Sequence, residues 1–570
     1  MFLKKAKDPG FWRRVREEAA FEDLRRECLG LWEDLAQNPM PELKLSDYLR
    51  FFSDGNRAVY ETAYFVRRRS LCALTVLSLV WPEEEKYLRR LEDVIFAIAQ
   101  EYTWCFAAHQ VWDGKVMDEV HIDLFAAETG WALSECDALL GDRLQPFVRT
   151  LIRSEVERRI FSSFLEKNVP CAWETYVNNW AAVCAGSVAA AFLYLRPDLY
   201  PKAKPRLDAC MERFIGGYGD DGFCAEGIGY WIYGYGFYVS WADLVRDFTG
   251  EDYFRQPKVK AIAEYLQKIY LNRNTTVSFA DGSRQNNVPG YLNDFLRTEY
   301  GRDIVRLSPA GKTCCDHCGR FCLFLRGAVW RDENRLCDEK ALPDTPAEIY
   351  APDVQWYIRK TAEWGFAAKA GHNEEFHNHC DVGSFIIARS GRQVFCDVGA
   401  PPYDRDYFRG ETRYSYFHSS SRGHSLPYFS AQARRPDESG LQKDGRRYAA
   451  ADVKEEKGRF SMDIAGVYGR DDIHSVKRSF TVCDNGVTLS DRFAVEKDVP
   501  VVERFVLLAK PELFDGGFTA DDLICRFETP VSSVNVYEET LGVHDSTGHE
   551  TVWVLDAVPA GDAFDLHVIL

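Results

Sequence analysis

The spacing of apolar residues changes once along this 570-residue chain, and that change constrains the fold more than any single motif. Through about the first 300 residues they recur three and four positions apart, the period of a helix with a buried face. The stretches Ser70–Val80, Tyr87–Ala99, Trp180–Leu195 and Gly229–Phe248 are examples. Breakers divide them at Trp81-Pro82, Arg196-Pro197, Gly216-Gly217 and the loop from Asp281 to Gly290. Beyond about residue 335 the pattern becomes short apolar runs between turn signals, which reads as strands. Phe385–Ala388, Ser390-Gly391 and Val394–Cys396 read as strand, turn, strand. Arg478–Val482 and Val487–Phe493 flank Asp484-Asn485-Gly486, where Asn-Gly is expected to supply the positive φ of a tight turn. Val501–Leu508 and Phe564–Leu570 add strands. Helices followed by a long all-β region predict two domains, 1–335 helical and 336–570 antiparallel β, with the junction within Arg302–Pro346.

Composition narrows the function. A net charge of −17 and a pI near 5.3 argue against nonspecific nucleic-acid binding, which needs a surplus of Lys and Arg. The apolar run Ala181–Leu195 is too short for a membrane span, and the basic N-terminal stretch lacks the apolar core of a signal peptide. Seventeen cysteines, an odd number without framework spacing, fit a reducing compartment. The expectation is a cytoplasmic protein with no membrane or nucleic-acid partner. Aromatic residues make up 14 % of the chain, enough to line a sugar-binding cleft as well as fill cores.

Three stretches carry chemistry. Five of the twelve histidines fall between residues 372 and 424. On a strand, His377 and His379 would point to one side, and with Asp397 and His424 downstream they could form a zinc site. The second stretch runs from Asp221 through Glu226, Tyr230 and Tyr233. A helix starting near Glu226 would put these three on one face. In the third, Asn178-Asn179 precedes an apolar helix, where Asn is also a good cap. Two further segments stand out. Cys314-Cys315-Asp316-His317-Cys318 with Cys322 looks like part of a zinc knuckle, with Cys337 nearby. Tyr403–His424 interleaves Arg405, Arg409, Arg413 and Arg422 with tyrosines and could pair with an anionic sugar.

In order and spacing these motifs resemble the heparinase II/III family of polysaccharide lyases. The shared pattern is Asn-Asn before a helix, an Asp-Gly…Glu-Gly…Tyr block and His-x-His-x-Asp opening the β region. Asp397-Val398-Gly399 and Arg422-Gly423-His424 follow. The resemblance implies an N-terminal (α/α) toroid followed by an antiparallel β-sandwich. It also implies cleavage of uronic-acid glycans such as heparan sulfate, hyaluronan, chondroitin or alginate by β-elimination. In that reaction the C5 proton lies α to a carboxylate, so donors must stabilise the developing charge while a base and an acid move protons. The resemblance implies Asn179 as carboxylate neutraliser, Tyr233 as acid (and base in a syn elimination), and His377 as partner or base. Asn179 and Tyr233 lie 54 residues apart, near the family's separation, and Tyr230 is the second choice for the tyrosine. Glu226, Tyr230, Arg409 and Arg413 are the expected substrate contacts. His379, Asp397 and His424 would ligate a structural zinc or other divalent ion, with no organic cofactor. The chain departs from the family at Trp180, where many relatives carry His, and at Ser425, where Asn is common. Competing readings are an inverting glycoside hydrolase using Glu226 with Asp220 or Asp221, and a non-catalytic sugar-binding protein; homo-oligomerisation is compatible with each.

Overall fold

The computed structural model describes residues 2–110, 117–167, 170–285, 290–301, 315–331, 346–432, 434–544 and 548–570. By packing, the chain divides into two compact units. The first comprises Met1–Tyr218, Trp231–Ala263 and Asn287–Ala341; the second comprises Gly219–Tyr230, Glu264–Asn286 and Leu342–Leu570. Most of the junction expected over Arg302–Pro346 lies outside the described residues. The two short segments Gly219–Tyr230 and Glu264–Asn286 join the second unit although helical sequence surrounds them.

The first unit is helical, and its centre is the helix Asn179–Leu195. Small and apolar side chains cover that helix all round (Ala181, Ala182, Val183, Cys184, Ala185, Gly186), the pattern of a fully buried helix. It packs against Leu124–Leu140, Tyr200–Gly216 and Gly236–Thr249. Gly186 permits the approach, since a Cβ there would lie 3.0 Å from Met211 Cε and 3.3 Å from Trp241 Cβ. The predicted stretches Ser70–Val80 and Tyr87–Ala99 fall inside the helices Ala58–Val80 and Glu85–Ala99. Among the described residues, no helix is long and apolar enough to cross a membrane.

The second unit holds two large antiparallel sheets. One runs Val531–Gly542, His549–Pro559, Val502–Leu507, Arg392–Phe395, Phe385–Arg389, Trp364–Lys369, Trp356–Lys360, Ala347–Ala351. The other runs Ala451–Glu456, Arg459–Asp463, Ile473–Cys483, Gly486–Val495, Ala563–Ile569, Leu523–Phe527, Gly517–Ala520, Glu512–Phe514. Phe366, Phe385, Phe395, Phe480, Phe505, Phe518 and Phe564 meet in one buried core. Ile473–Cys483 alternates buried and exposed positions, as a strand with one wet face must. Trp364–Lys369 and Val502–Leu507 are buried throughout, so both of their faces are covered.

The hairpin predicted at Asp484-Asn485-Gly486 forms, with Cys483 paired to Gly486. Neither Asn485 nor Gly486 takes a positive φ, contrary to the expectation from the dipeptide. Gly486 serves close packing instead: a Cβ there would meet the Val568 carbonyl of the neighbouring strand at 2.5 Å.

Candidate functional site

In the helical unit, Asn178 is the cap of the central helix, accepting from Trp180 N at 3.2 Å. Asn179 is thereby released from capping. Its side chain is buried, yet among the described residues its amide oxygen has no hydrogen-bond partner, an arrangement that costs stability unless a ligand supplies one. A Cβ at Gly234 would lie 3.0 Å from Asn179 Cβ, so the residue after Tyr233 backs directly onto Asn179. Tyr233 lies in a π-helical turn, Trp231–Tyr235, a departure from α geometry often found at functional positions. Its hydroxyl donates to Glu128 Oε1 at 2.5 Å, and the Arg320 guanidinium lies 4.1 Å from its ring centre. Arg320 Nε is 3.9 Å from the same Glu128 oxygen, and the Arg320 head is anchored on Asp316. Burial pushes the Glu128 carboxyl up to about 7, although Arg320 and the Tyr233 hydroxyl pull the other way. Burial, and then the Glu128 charge, hold the Tyr233 phenol well above its ordinary value.

In the sheet unit the organising group is Asp281, which sequence reading treated only as the start of a loop. It follows Ala280, whose φ of +60° is unusual for a residue with a Cβ. Asp281 Oδ2 is 2.8 Å from His377 Nδ1 and accepts from the Tyr403 hydroxyl at 2.9 Å. Asp281 Oδ1 is 3.0 Å from His379 Nε2 and also accepts from the Tyr407 hydroxyl. Burial alone would raise this carboxyl, but the bonds from His377 and His379 hold it well below the usual carboxylate range. With Nδ1 committed to Asp281, His377 turns Nε2 toward Glu226, 3.7 Å from Oε2. The Tyr230 ring stacks on the imidazole at 3.9 Å, and its hydroxyl pairs with that of Tyr403 at 2.8 Å. His377 has φ +58°, a strained conformation held in place by these contacts.

His379, Asp397 and His424 are fully buried, and their ligand atoms lie within 4.8 Å of one another. Each imidazole commits Nε2 elsewhere: His379 to Asp281, and His424 to the His418 carbonyl at 2.9 Å. Of the remaining atoms, His379 Nδ1 has no hydrogen-bond partner among the described residues, and His424 Nδ1 lies 3.1 Å from Asp397 Oδ2 as an ion pair. Outer partners that fix the tautomer, with ligand atoms converging on one point, are what a metal site requires. This donor set fits zinc or another divalent ion.

Two local expectations are corrected. His377 and His379 do not share a strand; the nearest strand is His372–Asn373, and the residues that follow form turns. The two imidazoles meet because both bond Asp281. Nor do Glu226, Tyr230 and Tyr233 share a helical face. The helix begins at Ile228, after Gly227 at φ +96°, and the π turn intervenes before Tyr233. Glu226 and Tyr230 accompany His377, whereas Tyr233 accompanies Glu128. Arg413 is mostly buried, spanning the Asn378 carbonyl at 3.1 Å and the Tyr407 ring, while Arg409 is exposed. Cys314 and Cys337 lie outside the described residues. Cys318 Sγ is 3.2 Å from His317 Nε2, and among the described residues this region holds no group of three potential metal ligands. Glu128 also escaped sequence reading, although a carboxylate within the apolar stretch Leu124–Leu140 was an available signal.

No family model and no curated protein sequence matches the chain. Its fold does match solved structures. A heparan sulfate lyase from Pedobacter heparinus aligns over 100 % of this chain and 87 % of its own, with TM-score 0.55 and 14 % identity. A heparinase III aligns over 99 % and 93 %, with TM-score 0.59 and 12 % identity. The chondroitin AC lyase of Streptomyces coelicolor A3, solved with chondroitin sulphate, aligns over 98 % and 82 %, with TM-score 0.57 and 10 % identity. The chain has the heparinase-like fold of helical toroid and β-sandwich.

Proposed function

We propose that the chain is a lyase that cleaves uronic-acid-containing glycans by β-elimination, leaving a C4–C5 double bond on the product. The observation that carries this reading is the pairing, on one buried helix–helix contact, of Asn179 with unspent hydrogen-bonding capacity and Tyr233 with an oriented hydroxyl. In this reading Asn179 hydrogen-bonds the uronate carboxylate and offsets the charge that grows as C5 loses its proton. Tyr233 takes that proton and delivers one to the departing O4 oxygen. His377, its tautomer set by Asp281, acts as partner base, and Glu226, Tyr230 and Arg409 contact the sugar. His379, Asp397 and His424 would hold a divalent ion, which when bound compensates the buried Asp397 charge and ties their three segments together. The likeness in fold to glycosaminoglycan lyases supports the same class.

Against an inverting hydrolase, Asp221 spends both carboxylate oxygens on backbone amides, those of Phe223 and Asp353. The test is an ultraviolet absorbance screen over heparan sulfate, hyaluronan, chondroitin and alginate, as polymers and as oligosaccharides. Rising absorbance is the expected result. New reducing ends without absorbance would establish hydrolysis, and silence on every substrate would remove the enzymatic reading.

A further inference from the structure

The helical unit contains a carboxylate that the reaction scheme above does not use. Glu128 lies on the buried helix Leu124–Leu140 with its side chain only 10 % exposed, and its nearest hydrogen-bond donor is the Tyr233 hydroxyl. We infer that Glu128 is the proton-accepting positioning residue of Tyr233, so that the two side chains work as a relay. The inference rests on Tyr233 being the acid and base of a lyase.

The geometry requires a division of labour at the phenol oxygen. A hydroxyl has one proton and two lone pairs, and here the proton points at Glu128. The lone pairs are directed elsewhere and can accept. When the substrate C5–H bond breaks, its electron pair stays on carbon and is delocalised into the uronate carboxylate. The proton bonds to a lone pair of the Tyr233 oxygen, while the original Tyr233 proton passes to Glu128 Oε1. The phenol stays neutral throughout, which avoids forming a phenolate whose burial is costly. In the second half, Tyr233 gives a proton to O4 as the C4–O4 bond breaks with its electrons on oxygen. Glu128 returns its proton to Tyr233, so both residues end as they began.

The surroundings suit a group that must alternate between charged and neutral. Burial raises the Glu128 carboxyl to about 7, against the opposing pull of Arg320 and the Tyr233 hydroxyl. The titratable and charged groups facing it are Arg320 and Asp316 from the segment before Phe321–Val329, Cys322 on that helix, Tyr233 from the π turn, Cys184 from the central helix, and Asp123 at the start of its own helix. A base that is half ionised near neutrality matches the operating range of general base catalysis. Only the ionised form can accept the proton, so the rate must rise with pH through about 7.

The experiment compares wild type with Glu128→Gln and Tyr233→Phe. Glu128→Gln keeps shape and hydrogen bonding but cannot accept a proton. Its kcat should fall about 100-fold or more with KM within about threefold, and the ascending limb near pH 7 should disappear. A Glu128→Gln enzyme with more than a third of wild-type kcat and an unchanged pH profile overturns the relay. A second readout needs no turnover. Infrared difference spectra of wild type against Glu128→Gln should show one carboxyl titrating near pH 7, and Tyr233→Phe should move that midpoint. A carboxyl titrating at the ordinary value for Glu, or unmoved by Tyr233→Phe, also overturns it. If wild type is inert on every uronate glycan, the lyase reading fails by itself, while the infrared titration still decides whether the pair is coupled.

Discussion

Asp281 holds His377 Nδ1 at 2.8 Å on one carboxylate oxygen while the other oxygen holds His379 Nε2 at 3.0 Å. One side chain thus fixes the tautomer of a proposed base and of a proposed metal ligand. Asp281→Asn can offer an oxygen to one imidazole and only an NH2 to the other. Losing such an outer partner typically costs 10–100-fold in metal affinity or activity. Zinc titration of Asp281→Asn should show affinity lower by about 10–100-fold, with kcat falling in the same range. Loss of neither quantity would mean that Asp281 only packs.

The two tyrosines of the Glu226–Tyr235 block make different predictions. Tyr233→Phe deletes the hydroxyl on Glu128 and should lower turnover by about 100-fold or more. Tyr230→Phe keeps its stack on His377 and loses only the bond to Tyr403, so a fall nearer tenfold is expected, of the order of one hydrogen bond. Steady-state kinetics of both variants decides the assignment. A dead Tyr230→Phe beside a nearly normal Tyr233→Phe would transfer the acid–base role by one turn.

Much of the architecture was legible in sequence because it follows from periodicity. The helix Asn179–Leu195 and the pair Phe385–Arg389 and Arg392–Phe395 announce themselves by spacing and turn residues. The ligand triad was legible only through the family resemblance, since no spacing rule joins His379 to Asp397 and His424. The partners of Asp281 and Glu128 were illegible for a physical reason, although the burial of Glu128 in an apolar helix left a signal. Each acts on a side chain about 100 positions away in sequence, and the information lies in tertiary packing rather than in any local pattern. The π turn at Trp231–Tyr235 hid the separation of Tyr230 from Tyr233, because a helical wheel assumes uniform winding.

Arg478 is fully buried in the sheet unit. It bonds Asp491 and Glu503 and donates to the carbonyls of Gly383 and Ser425, next to the His-x-His-x-Asp motif and to His424. Arg478→Met leaves two carboxylates without their cation, which costs about 3–5 kcal/mol. For a unit of this size that corresponds to a melting point lower by about 10 °C. Burial, and then the Asp491 charge, already raise the Glu503 carboxyl well above its ordinary value. A carboxyl raised in the folded state favours folding below its unfolded pKa and loses that contribution as pH climbs toward the folded value. The deficit of Arg478→Met should therefore be smaller at pH 5 than at pH 8. Thermal melts at both pH values check this, and a shift under about 2 °C at pH 8 contradicts it.

Metal removal should act chiefly on stability. An ion present at a thousand times its Kd adds about 4 kcal/mol, or on the order of 10 °C in a unit of this size. Chelation should lower the melting point by that amount, and added zinc should restore it. Elemental analysis finding no bound divalent ion, or a melt indifferent to chelator, would rule out the site.

The last prediction concerns substrate length. A net charge of −17 disfavours approach of a long polyanion, whose many charges feel the field of the whole protein. A short oligosaccharide needs only local cations. Of the two arginines expected at the sugar, Arg413 is committed to Asn378 and the Tyr407 ring, whereas Arg409 remains more than half exposed, with Asp406 at 3.6 Å. Arg409→Ala should therefore raise KM several-fold with little change in kcat, a contact worth about 1 kcal/mol. Arg413→Ala should instead lower stability through lost packing on Tyr407. On the same grounds, the rate per bond should be higher on tetrasaccharides than on intact polymer at matched salt, and the difference should narrow as salt screens the field. Equal or faster cleavage of the polymer, with viscosity dropping early, would identify an endo-acting depolymerase and defeat the preference for short chains.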